Sequence, residues 1–359
     1  MRIRADRDDL ADVFTRANRA VGARSALPVL QGVLCEVRGS SLRVTGTDLE
    51  VTIRTSTEVE VMEEGAVVIP GRLVAEAIRK LPAGAVTVSA GDSDVEILGR
   101  GPRFTLRPFN LGDFPDLGEV PGGGVAVDGD QLAAAIAQVT VAASGDPARP
   151  ILTGVLFETT DDGVRLVATD SYRLAVRDLV GAGLVSQGLI PARGLRELAR
   201  AIGAPSMTMG VQPREAVFSS ERGVMRLRLI EGAFPKYRSL LPESYPKQVM
   251  VGKEALLEAI GRASLVAEDH IPVRLRLEDG GVEVTVTRQD VGGEVEHVPG
   301  EYQGDEEVVI AFNPRYLADG VNAIRSEQVR MRVIDGLKPS VIDGVGEEDF
   351  IYLLMPVRI

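Results

Sequence analysis

Hydrophobic positions along this chain switch between two periods, and the same succession of periods comes round more than once. Residues 6–22, DRDDLADVFTRANRAVG, place Leu10, Val13, Phe14, Ala17, Ala20 and Val21 at helical spacing, with Arg16 and Arg19 on the other face and Arg24 just beyond. Short apolar runs punctuated by turn residues continue to Arg54 and predict strands. VVIPGRLVAEAIRKLPAG then predicts a strand, a proline break and a second helix. Its apolar face is Leu73, Val74, Ala77, Ile78 and Leu81, and Arg72, Arg79 and Lys80 point away. More strands lead to Asp113-Phe114-Pro115, and VPGGG at 120–124 reads as a linker.

The order then repeats. Gly32-Val33-Leu34 and Thr47-Asp48 recur 122 residues later as Gly154-Val155-Leu156 and Thr169-Asp170, and Leu132 follows Leu10 at the same distance. Pro191 lies 121 beyond Pro70, and Ala233-Phe234-Pro235 echoes Asp113-Phe114-Pro115 at 120. A more diverged third copy sets Leu256 and Ile260 at 124 beyond Leu132 and Ile136, with Pro314 opening its second helix. A chain of 359 residues is too long for one ordinary core. The repeat divides it into domains at 1–121, 122–247 and 248–359. The predicted class is α+β, each domain packing two helices on antiparallel sheets. Strand edges left over would pair with the next unit, which favours a closed arrangement.

Charge changes the picture. The formal net charge is −12, so bulk electrostatics would not hold this chain on nucleic acid, and a DNA role requires its basic residues to share one surface. Tryptophan is absent and aromatics are 4%, which leaves few platforms for stacking bases. No apolar run approaches the ~20 residues of a membrane span. MRIRADRDDL has no hydrophobic signal region, so a cytoplasmic protein is expected. The single cysteine, Cys35, sits in an apolar strand pattern and reads as a buried, inert thiol.

Catalytic chemistry finds little support. His270 and His297 are the two histidines and have no ligand-spaced companions, so no metal is expected. Gly122-Gly123-Gly124 precedes a strand and lacks the lysine of a phosphate cradle, so no cofactor is implied. Ser171 has no nucleophile-elbow context. Asp48 and Asp170 occupy equivalent places, where holding a turn competes with an acid/base role. The chain reads as non-enzymatic. What recurs instead is positive charge opposite apolar helix faces: Arg16 and Arg19; Arg72, Arg79 and Lys80; Arg193, Arg196 and Arg200 opposite Leu195, Leu198 and Ile202. A solvated face and a polyanion-facing surface both fit.

TGTDLEV, VATDSYRLAV, EGAFPKY and the terminal YLLMPVRI resemble, in order and over the whole chain, the β sliding clamps of bacterial DNA polymerase III. The pairing of VATD-x-x-RLAV with a C-terminal MPVR is the specific part. The resemblance implies three clamp domains per chain, closed head to tail as a homodimeric ring with helices lining the hole and sheets outside. Twelve helices about 10 Å wide make a circle roughly 38 Å across, enough for a duplex with water around it. It implies double-stranded DNA encircled without sequence preference. Partners would be the polymerase III α subunit, the clamp loader and other clamp-motif peptides. The DNA-facing positions would be Arg16, Arg19, Arg24, Arg72, Arg79, Lys80, Arg193, Arg196 and Arg200.

The family's peptide pocket, between the second and third domains, falls on Leu152, Thr169, Ser171, Tyr172, Arg173, Leu174, Pro235, Leu240, Ser340, Leu353, Met355, Pro356, Val357 and Arg358, with Asn313 and Tyr316 at its edge. Ordinary core and terminal-strand packing is the other reading of these residues. The family's dimer contact maps to Phe104 and Leu106 against Leu265 and Val266, which intradomain packing would also explain. Four departures weaken the expected DNA contact or pocket edge: a second-domain first helix without Lys or Arg, Asp146, Ser239, and acidic Glu268-Asp269-His270. They leave open a specialised or inhibitor-resistant copy that acts as a protein-binding scaffold.

Overall fold

A computed structural model describes every residue except 23–26, 92, 121, 184–185, 243, 268–270 and 359. Arg24 and the 268–270 acidic stretch therefore lie outside the described residues. Six helices occur among the described ones: α1 Arg7–Asn18, α2 Gly71–Lys80, α3 Gly129–Thr140, α4 Ala192–Ile202, α5 Lys253–Ala267 and α6 Pro314–Ala323. The rest is largely antiparallel strand. None of the described helices is long and apolar enough to cross a membrane. The chain falls into two compact units, Met1–Ala133 with Ala182–Leu229, and Ala134–Gly181 with Ile230–Ile359. The dividing line cuts through the second repeat, whose strands between 154 and 180 belong to the second unit and whose strand Val125–Asp128, later strands from 188 to 228 and α4 belong to the first.

In the first unit, α1 begins where Asp6 accepts a hydrogen bond from the Asp8 amide at 2.8 Å. Asp8 and Asp9 occupy its first turn and Arg16 its last, each sign at the end that favours it. Leu10, Val13, Phe14 and Ala17 are buried from it into a core with Val33, Cys35, Leu42 and Val44. Each large side chain of this kind contributes about 1.5–3 kcal/mol. The helix lies directly on the strand Ser41–Thr47: a Cβ at Gly46 would sit 2.1 Å from the Ala17 carbonyl oxygen. Burial pushes the Cys35 thiol well above its usual range, so it is inert as expected. On α2 the expected apolar face needs correction. Val74, Ala77, Ile78 and Leu81 are buried, but Leu73 is half exposed (50%). Leu73 lies a 100° step from Val74, and the i, i+3, i+4, i+7 stripe starts at Val74.

The main sheet of this unit runs in the order Val125–Asp128, Ser206–Val211, Glu215–Ser220, Gly223–Arg228, Val51–Glu58, Ser41–Thr47, Gly32–Arg38, Gly65–Pro70. The sheet of the second unit includes Gly154–Thr159, Gly163–Thr169 and Arg173–Val180, followed by Glu347–Leu354 and Ser340–Gly344. Each sheet contains the same turn. Thr47 Oγ1 donates to the Val51 carbonyl and accepts from the Leu49 amide. Asp48 Oδ1 accepts from the amides of Glu50 and Val51. In the second copy Thr169 Oγ1 bonds Arg173 O and Ser171 N, and Asp170 Oδ1 accepts from Tyr172 N and Arg173 N. The third residue is left-handed in both, Leu49 at φ 74° and Ser171 at φ 81°. Both aspartates thus hold turns, and the acid/base reading drops away.

Candidate functional site

The second copy of the turn borders a trough within the second unit. Leu174 faces Leu353 across the ladder, Val176 faces Ile351, Val167 faces Val176, and Val341 faces Leu353. Side chains alternate along a strand, so these residues share one face. Val167, Leu174, Val176, Val341 and Leu353 join Tyr237 as a buried apolar floor, and Leu156, Phe234, Leu241, Tyr245 and Ile351 pack half-buried against it. Tyr172, Leu240, Met355 and Val357 remain substantially exposed, at 56%, 45%, 39% and 39%. Such an exposed apolar set is what a partner-binding surface presents.

One end of the trough is fixed by Arg173. Its Nε donates to Asp170 Oδ2 at 2.9 Å, and its Nη1 donates to Asp319 Oδ2 on α6 at 2.6 Å. The guanidinium stacks 4.2 Å from the Tyr316 ring centroid, and the Tyr172 ring stacks on Tyr316 at 6.3 Å. Tyr352 donates to the Tyr316 carbonyl at 2.8 Å, and burial raises its phenol pKa, which keeps the proton on it. Gly320 makes this fit possible, since a Cβ there would meet the Tyr352 ring at 2.2 Å. Asn313 caps α6 by accepting from the Tyr316 amide, and the Met355 amide donates to the Tyr172 carbonyl at 2.9 Å. At another border the Tyr237 hydroxyl donates to Glu158, which also accepts from Arg238 at 2.7 Å. Burial first, and Glu158 second, push Tyr237 up to about 12.

The structure therefore brings Tyr172, Arg173, Leu174, Tyr316, Leu353 and Met355 into one constellation, with Thr169 and Ser171 shaping its turn. Ser340 is fully buried, and its hydroxyl makes no hydrogen bond among the described residues. Pro235 and Leu240 flank Tyr237 in the chain and are exposed. Leu152 is half-buried in the turn Pro150–Thr153, where its carbonyl accepts from the Ser144 amide. Val357 ties the chain end to the Ala311 carbonyl at 2.8 Å, beside half-buried Pro356 and exposed Arg358. Sequence reasoning missed Val341, Tyr237, Tyr352 and Asp319. The alternation in EEDFIYLL and the aromatics of EGAFPKY were the available signals for the floor.

Profiles of the DNA polymerase III beta subunit match the chain from end to end: the N-terminal domain over residues 1–118, the central domain over 126–236 and the C-terminal domain over 238–358. The chain belongs to the DNA polymerase III beta subunit family. A beta sliding clamp of Streptomyces coelicolor is 34% identical, with all of both chains covered. The beta sliding clamp homolog GriR of Streptomyces muensis is 30% identical over 100% of this chain and 99% of its own. A crystal structure of the Pseudomonas aeruginosa sliding clamp bound to griselimycin superposes with a TM-score of 0.92 at 27% identity, covering all of both chains. As a sliding clamp, the chain is a non-catalytic processivity subunit built from three clamp domains.

Apart from Arg24, the arginines expected to face DNA sit on α1, α2 and α4 or, for Arg19, at the C-terminal cap of α1, and carboxylates already engage most of them. Arg16 pairs with Asp12 at 2.6 Å, Arg19 with Glu197 at 2.9 Å, Arg72 with Glu76 at 3.0 Å and Arg193 with Asp48 at 2.9 Å. Arg200 lies 3.8 Å from Glu197. Arg79 and Lys80 are exposed and make no ion pair among the described residues, and Arg196 lies on the same helix as Arg193 and Arg200. Asp146 is committed locally: it accepts from the Ala148 amide and from Arg149 Nε, and these bonds lower its pKa. Ser239 donates to the Lys236 carbonyl. Of the family's dimer positions, Leu265 is 84% exposed and Val266 is half-buried on α5. Leu106 is only 6% exposed and belongs to the core of the first unit, with Phe104 half-buried against that core.

Proposed function

We propose that two copies of this clamp close head to tail around duplex DNA, and that the trough beside Arg173 seats a short peptide of the polymerase III α subunit, the clamp loader or another clamp-binding protein. The observation that carries the peptide half is the buried apolar floor between Leu174 and Leu353 with its exposed rim of Tyr172, Leu240 and Met355. A leucine or phenylalanine anchor suits such a trough, and a methionine at its edge adapts to different sequences. Thr169, Ser171 and Arg173 supply the polar wall, and Leu152, Pro235, Asn313, Ser340, Pro356, Val357 and Arg358 are the proposed remainder of the pocket.

The DNA half follows from charge. Arginines paired with carboxylates release fewer counterions to a duplex, so tight phosphate binding is not what retains this clamp. Threading retains it, and Arg79 and Lys80, exposed and without an ion pair among the described residues, keep the helix faces attractive without fixing a register. The ring interface uses the free edge of the strand Arg103–Leu106, backed rather than faced by Leu106, against exposed Leu265 and its neighbour Val266 on α5. Leu265→Lys with Val266→Lys is expected to give monomers in sedimentation; a persistent dimer would move the interface elsewhere. Domain limits of 1–121, 122–247 and 248–359 and a cytoplasmic location complete the reading. The direct test loads the clamp on nicked circular DNA with its loader. Retention on the circle and release on linearisation are expected, and no retention would leave only a protein-binding scaffold.

A further inference from the structure

The outer strands of the first two repeats correspond position by position at an offset of 122, and their charges do not. In the second repeat Arg165 lies across the ladder from Asp178 and grips it with two hydrogen bonds, at 2.6 and 2.7 Å. In the first repeat the same ladder position pairs Arg43 with Ser56. Ser56 and Arg43 are both exposed, and Arg43 has no ion-pair partner among the described residues. One pair further along, Val167 and Val176 of the second repeat become Thr45 and Arg54. The first repeat therefore has one cation more and one carboxylate fewer on this face.

The polar groups there are unsatisfied. Among the described residues the hydroxyl of Thr45, which is 1% exposed, finds no hydrogen-bond partner, and neither does the buried Arg54 Nε. Arg226, on the adjoining strand, is already held bidentately by Glu215 and donates to the Leu117 carbonyl. Burial, then Arg43 and Arg226, pull the Arg54 guanidinium below its ordinary pKa. Glu36, which faces Arg43 across the ladder from the strand Gly32–Arg38 and lies 3.9 Å from Arg38, and Glu119 are near enough to be felt, but neither bonds to Arg54. Leu42 and Val44, the alternate neighbours of Arg43 and Thr45, point into the core beneath α1. The cluster thus occupies the sheet face opposite α1, away from the surface proposed to face DNA.

We propose that Arg43 and Arg54 form a docking site for an acidic segment of a partner protein, whose carboxylate takes the place that Asp178 fills in the second repeat. The second repeat serves as the template for the occupant's chemistry: a side-chain carboxylate opposite an arginine, in bidentate reach. The site is independent of the peptide trough, which lies in the other compact unit.

The test is fluorescence anisotropy on the full chain with a labelled peptide of alternating aspartate and glutamate, at low salt. Ser56→Asp installs the missing carboxylate and is expected to weaken binding about tenfold, as is Arg43→Gln. Both variants should still bind a clamp-motif peptide with parent affinity, which shows that they are folded. Undiminished acidic-peptide binding in Ser56→Asp would overturn the proposal, as would failure of the parent chain to bind. Equal displacement of the peptide by inorganic phosphate would overturn it too, by making this a simple anion site.

Discussion

Two stretches of sheet in this clamp share one plan: strands 41–58 joined by 223–228, and strands 163–180 joined by 347–354. The turn is the same, the ladder register is the same, and only one makes an apolar trough. Val167, Leu174, Val176 and Leu353 in the second stretch correspond to Thr45, Thr52, Arg54 and Arg226 in the first. Val217 and Val341 are alike. The backbone therefore supplies two candidate grooves per chain, and four side chains decide which one greets a hydrophobic anchor. The comparison separates what the fold provides from what the site requires.

The strongest way to break the difference is to move a residue between the two stretches. Leu353→Arg, which copies Arg226 without Glu215, would bury an unpaired charge. It should cost about 3–5 kcal/mol of stability, read by denaturant unfolding, and abolish peptide binding. Deleting 355–359 removes Met355 and Val357 from the exposed rim but spares the floor, so peptide affinity should fall about a hundredfold while sedimentation still reports a dimer. Unchanged affinity would mean that the terminal residues play no part in the pocket. Asp319→Asn should loosen Arg173 and, through the Tyr316 stack, Tyr172. Its expected effect is about 1 kcal/mol, near fivefold in peptide Kd, because Asp170 still holds the guanidinium.

The smallest effect concerns pH. Tyr237 has a folded-state pKa of about 12, above the usual value of roughly 10 for an unfolded tyrosine. A group that binds its proton more tightly when folded adds stability below the unfolded pKa and loses it as pH rises through the folded one. Stability should therefore fall between about pH 10 and pH 12, and Tyr237→Phe should flatten that decline in a pH series of thermal melts.

The repeated helices, the Thr-Asp turns and the apolar faces of α1, α3, α4 and α5 were legible because each depends on local spacing. The same holds for Leu174 and Leu353, whose strands alternate cleanly. Leu73 was misplaced because adjacent apolar residues cannot both face one core, and the residues alone do not say which is left out. For Leu106 interface and core both fit, because the two share one alternation on an edge strand. The arginine pairings were out of reach for a different reason. Arg193 meets Asp48, and Arg19 meets Glu197, across long sequence separations that only tertiary structure closes. Asp319 escaped notice likewise, since its link to Arg173 spans two elements far apart in the chain.

The two stretches are told apart by titrating a leucine- and phenylalanine-bearing clamp-motif peptide, followed by calorimetry, into the parent chain, Leu174→Thr and Arg54→Val. One peptide per chain is expected, with affinity about tenfold weaker in Leu174→Thr and unchanged in Arg54→Val. Two peptides per chain, or affinity that follows Arg54 instead of Leu174, would contradict that expectation.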